Sequence, residues 1–183
     1  MNIRFLVVIL SVALLSAGCA TTASKEKAAA EKKIKKYSAD LNGDGKAEIV
    51  EAQDLLDTES ATVVAAKKQL KGKVQEVIDT FKVPGKISRL EIVELYLDSS
   101  KQIALIFKDN NDVFHVAIYR LLNDKFSQMF AGDSKYGVDM QFKGAVPRIR
   151  IARPPLGGKV SPNLVPEWDD WVWTGDKFIK DQI

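Results

Sequence analysis

Between Asp40 and Glu48 the chain sets oxygen donors at alternate positions: the side chains of Asp40, Asn42 and Asp44, the peptide carbonyl of Lys46, then the carboxylate of Glu48. This is the donor pattern of a hard divalent cation. On a tight turn, oxygens two residues apart project to one side, Gly45 permits the left-handed bend, and Glu48 closes the shell as the apolar Ile49-Val50 begins. Calcium is the expected cofactor. With three formal negative charges, a dissociation constant on the order of 10⁻⁴ to 10⁻³ M is expected, which suits construction better than signalling.

Other chemistry is sparse. His115 lies in an apolar run with Phe114 and Val116 and reads as a strand residue, no histidine cluster offers a zinc site, and no phosphate-cradling glycine motif occurs. Asp169 and Asp170 beside Trp168, Trp171 and Trp173 imitate a carbohydrate site, in which acids are flanked by stacking aromatics. The same tryptophans equally suit the core and strand faces of a terminal hairpin. A glycan-binding or glycan-processing role for them is the alternative to a non-enzymatic one, and no catalytic residue is assigned.

The N-terminus carries an address. Arg4 precedes an apolar run from Phe5 to Leu15 that is too short to span a bilayer, and small residues follow at Ser16-Ala17-Gly18-Cys19. This resembles the lipobox of bacterial lipoproteins, with Ser16 in place of the commoner leucine. The resemblance implies a signal peptide over 1–18, lipidation (palmitate) of Cys19, and, from Ala20, an outer-membrane destination in a Gram-negative host. From residue 19 to 36 a basic tether is expected, with six Lys against two Glu between Ser24 and Lys36. Removing Arg4 and the tether's net +4 from the whole-chain +3 leaves residues 37–183 near −2, which argues against nucleic acid as a partner. Membrane contact is expected through the lipid, and a protein partner in the cell envelope is expected from the body.

The elements around the loop read mainly as strands. Gly72-Lys73-Val74, Asp124-Lys125-Phe126 and Asp176-Lys177-Phe178 recur at a constant step of 52 residues, and each follows an apolar segment. Asn123-Asp124 and Gly175-Asp176 have hairpin-turn chemistry between alternating runs, and Asp98-Ser99-Ser100 separates two more. The stretch 62–81 is ambiguous: Val63, Ala66, Leu70, Val74, Val77 and Phe81 have helical spacing, yet β-branched residues and Gly72 suit a hairpin. Pro154 to Glu167 reads as a long loop covering a sheet edge or carrying function. With 46% apolar residues the body can hold one core, and the expected fold is mainly β: an antiparallel assembly of about three propeller-blade-like repeats, open or partly curled. The alternative is α+β with a helix around 62–81.

Residues 39–50 also resemble the Asp-x-Asn-x-Asp-Gly-x-x-Asp/Glu loop of FG-GAP and VCBS repeats, the blades of integrin-type β-propellers. That likeness implies calcium on Asp40, Asn42, Asp44, the Lys46 carbonyl and Glu48, followed by a strand. A competing resemblance is the EF-hand loop of dockerins, which would use Glu51 as the bidentate ligand, continue into a helix carrying Leu55 and Leu56, and make the domain an interaction module.

Overall fold

A computed structural model describes residues 34–55, 61–70, 75–96, 99–154 and 166–181. Cys19, the signal segment, the turn at 71–74 and most of the proline loop lie outside the described residues. Twelve strands form three antiparallel sheets, none closed into a barrel, with no helix among the described residues. The first sheet holds β1 (Ile34–Ala39), β2 (Glu48–Leu55), β3 (Ala61–Gln69) and β4 (Gln75–Pro84). The second holds β5 (Lys86–Val93), β6 (Gln102–Lys108), β7 (Phe114–Leu122) and β8 (Lys125–Ser134). The third holds β9 (Val138–Gln141), β10 (Arg148–Ala152), β11 (Trp168–Trp173) and β12 (Phe178–Lys180). Each sheet is a meander, and their first strands begin at 34, 86 and 138, a step of 52 residues. The expected blade-like repeat is therefore present three times.

The leading expectation of a mainly β fold holds over its α+β alternative, and one boundary moves. The helix considered around 62–81 is a hairpin, with β3 and β4 paired from Ala61↔Pro84 to Gln69↔Gln75. A bulge follows Ala66↔Asp79, since Lys67 pairs with Val77 and leaves Ile78 as the extra residue. The bulge shifts the inward face of β4 by one position, so Ile78, Phe81 and Val83 face the core with Val64 and Ala66, while Leu70 and Val77 of the helical spacing are exposed. The folded body also starts earlier than residue 37, because β1 already includes Ile34 to Lys36.

The middle sheet is covered on both faces. Every residue of β6 from Gln102 to Phe107 is buried. Ile103, Leu105 and Phe107 join Val50, Val64 and Val83 in a core shared with the first sheet. Ala104 and Ile106, on the opposite face, join Met140, Ile149 and Trp173 in a core shared with the third. The continuous apolar run of β6 is what a doubly covered strand requires. β2 and β10 alternate instead: Val50 and Ala52 are buried while Glu51 and Gln53 are less so, and Ile149 is buried between Arg148 and Arg150. The sequence thus places β6 inside and the other two sheets at the ends of a row.

Polar groups fasten the row. Gln102, fully buried, accepts from the Leu95 N–H at 2.8 Å and donates to the Ser100 carbonyl at 2.9 Å. Asp79 on β4 accepts from the Phe126 N–H of β8 at 2.8 Å, and the Trp173 indole donates to the Leu95 carbonyl at 2.9 Å. The outer faces of the end sheets carry ion pairs. Glu51 lies between Lys36, at 2.7 Å, and Lys67, while Asp170 lies between Arg148, at 2.7 Å, and Arg150, at 3.0 Å. Charged outer faces are how stacked repeats end in water.

Candidate metal centre

The loop joins β1 to β2, and two glycines shape it. Gly43 and Gly45 both have positive φ, 79° and 81°, so the chain makes two left-handed bends within three residues. The bends turn backbone N–H groups toward the acidic side chains. Gly43 N–H donates to Asp40 Oδ1 at 2.7 Å, Gly45 N–H to Asp40 Oδ2 at 2.9 Å, Asp44 N–H to Asn42 Oδ1 at 3.0 Å and Lys46 N–H to Asp44 Oδ1 at 2.8 Å. These bonds hold three of the proposed side-chain donors in place. Each oxygen has a second lone pair, so the bonds leave capacity for a cation.

Glu48 differs from the rest. The other ligand side chains of the loop are partly or largely in water, whereas Glu48 is 2% exposed and accepts from the Leu41 N–H through Oε2 at 2.8 Å. Burial, followed by the nearby carboxylates of Asp44 and Asp40, raises its carboxyl above the ordinary value of 4.5, against the lowering effect of the Leu41 N–H. A buried acid facing two more acids is the environment a divalent cation relieves, and the donor set fits calcium in that sense. Among the described residues no three His, Cys, Asp or Glu side chains, Asp40, Asp44 and Glu48 included, gather closely enough to hold a metal ion.

Two features that sequence reasoning missed tie the loop to the rest. Leu41 is fully buried and belongs to the core between the first two sheets, and the Asp40 carbonyl accepts at 2.8 Å from the N–H of Lys101, the residue that leads into β6. A leucine between Asp40 and Asn42 was the available signal, since nothing in cation binding requires it. Gly43 was likewise passed over, although a second glycine two residues before Gly45 signals a double bend.

The competing loop reading loses its geometry. The chain leaves the loop as strand β2, and Glu51, on the opposite face from Glu48, is held by Lys36 and Lys67. Trp171 and Trp173 share one face of β11 and one core cluster, apart from Trp168. Trp173 is 9% exposed, with its indole on the Leu95 carbonyl, and Trp171 packs edge-on against Phe130. Trp168 lies on the opposite face of β11, beneath the Arg150 guanidinium at 4.9 Å. Asp169 and Asp170 diverge as well, the first pairing with Arg153 and Lys180, the second with Arg148 and Arg150.

His115 has a local role. Its Nε2 lies 3.1 Å from Asp109 Oδ2, and its ring stacks on Phe107. Asp109 also accepts from the N–H groups of Asn111 and Val113, the latter bond being foremost in lowering its carboxyl below the ordinary range. The group shapes the β6–β7 turn. Compared with protein-family models, with curated proteins and with solved structures, this chain of three four-stranded sheets and one acidic double-bend loop matches none.

Proposed function

We propose that this protein is a lipid-anchored component of the bacterial cell envelope, with a binding or assembly role that is not enzymatic, and that calcium at Asp40, Asn42, Asp44, the Lys46 carbonyl and Glu48 stiffens its body. The observation that carries the reading is the seating of the loop. Its second residue, Leu41, is in the core between two sheets, and its first carbonyl is bonded to the N–H of Lys101, which leads into β6. A cation bound there would lock a joint between repeats, which is structural work. The lipobox-like Cys19 and the basic segment after it supply the address.

The spending of His115, Trp171 and Trp173 on packing supports a non-catalytic body. The charged outer faces support a row of sheets that ends in water and meets its envelope partner elsewhere than by further stacking.

Expression of the full chain with a radiolabelled fatty acid tests the address, and crosslinking in native membranes tests the role. Label on the wild type, its loss in Cys19→Ser, and a crosslinked envelope protein in the wild-type membrane fraction are expected. Fatty-acid label that survives Cys19→Ser, or a wild-type chain found in the cytosol, would remove the lipid-anchor reading.

A further inference from the structure

The cleft between the first two sheets has two ends. At one, the acidic loop closes it with Leu41. At the other, a cavity of about 350 Å³ opens between the start of β1, the end of β2, the start of β3 and the start of β5. Its polar lining is Lys35, Asp54, Thr62, Lys86 and Ser88. The volume is at the lower end of the range for small-molecule sites.

The lining is rich in donors and poor in acceptors. Lys35 brings three ammonium protons and gives one to the Ile87 carbonyl, at 3.3 Å. Lys86 forms no ion pair among the described residues and stands exposed at the rim. Among the described lining residues the one carboxylate is Asp54; Thr62, 1% exposed, sets its Oγ1 2.8 Å from Asp54 Oδ1 and 3.0 Å from the Gly85 carbonyl, which share its single proton. Ser88 spends its proton on the Ile106 carbonyl at 3.1 Å. Among the described lining residues two ammonium groups stand against one carboxylate, an excess of positive charge and of donors.

The walls are also rigidly set. Gly85, which accepts from Thr62, has φ +85°, and a Cβ there would lie 1.9 Å from the Lys108 carbonyl oxygen. The crossing from the first sheet to the second is thereby held close against the middle sheet, and the two lysines face the cavity from separate sheets. Binding there would bridge the same joint as the acidic loop, from its other end and with the opposite charge.

We propose that this cavity is a binding site for a small oxyanion, a carboxylate or phosphate group held between the ammonium groups of Lys35 and Lys86. Asp54 accepts a hydroxyl of the same molecule, which favours a hydroxy acid or a polyol phosphate over a bare dianion. The site is independent of calcium at Asp40 to Glu48.

Isothermal titration of the full chain in detergent, at constant ionic strength set with chloride, tests it with sodium glycerate, glycerol 3-phosphate and inorganic phosphate as probes. Saturable binding of glycerate or glycerol 3-phosphate is expected, tighter than that of phosphate, and weakened about tenfold or more in Lys86→Gln and again in Lys35→Gln. Lys86 is exposed at the rim, so Lys86→Gln keeps the fold, and matched circular dichroism spectra verify this. Absence of saturable binding to about 10 mM of every probe, or equal binding by the wild type and Lys86→Gln, overturns the proposal. Asp44→Ala is expected to leave the anion affinity unchanged, so failure of this site and failure of the calcium reading are separately visible.

Discussion

At the scale of one residue, Glu48 is the group that the proposed cation would relieve. Its carboxyl is buried and raised above 4.5, so its contribution to stability is fully present only below that value, where both folded and unfolded chains are protonated, and is lost as pH rises through the raised native value. At neutral pH without metal the ionised group opposes folding. In chelator, Glu48→Gln is therefore expected to raise the urea midpoint at neutral pH and leave it unchanged in acid, since the amide oxygen can still accept from Leu41. In calcium the order reverses, because the variant loses a ligand; denaturation curves across pH in both buffers check the crossing. Leu41 gives a second test: fully buried in the inter-sheet core, its replacement in Leu41→Ala should cost about 2–5 kcal/mol by urea denaturation, with or without calcium. The turn and its alternating oxygen side chains were legible in the sequence, since Asp, Asn and Gly at these spacings bend the chain back onto its own N–H groups. The tertiary anchor was not, because a lone leucine carries no period.

Among the elements, the hairpins were legible where turn chemistry was strong. Asn123 and Asp124 both adopt positive φ, 51° and 59°, closing β7 on β8 as a two-residue turn of that composition should. The β3–β4 hairpin was ambiguous because exposed apolar residues, Leu70 and Val77, fall by chance at helical spacing with buried Ala66, and burial is not written in spacing. Elements meet through few polar contacts, so each contact is testable. The Phe126 N–H, first among its causes, lowers the Asp79 carboxyl below 3.8, so this joint stabilises above that value and weakens as pH falls through the lower native value. Asp79→Ala should cost about 1–3 kcal/mol near neutral pH, with a loss that shrinks in acid, as measured by chemical denaturation. At the crossing between sheets, Gly85→Ala demands both a disfavoured backbone and a displaced Lys108 carbonyl, and more than about 3 kcal/mol of destabilisation is expected from thermal unfolding.

For the whole molecule, the 52-residue step was readable before any strand was assigned, and it is the step between sheets. The order of the row was also written in the chain: a continuous apolar run at Gln102–Phe107 against alternation at Glu48–Leu55 and Arg148–Ala152. What could not be read was which polar groups cross between sheets, since Asp79 to Phe126 and Trp173 to Leu95 are separated by 47 and 78 residues. The central claim is that a cation at the Asp40–Glu48 loop locks the first sheet to the second. Differential scanning calorimetry of the full chain, in chelator and then with calcium at about ten times its dissociation constant, measures this directly. An upward shift of about 3–6 °C is predicted for the wild type and none for Asp44→Ala. A wild type that unfolds at the same temperature in both buffers, with Asp44→Ala equally indifferent, would contradict it.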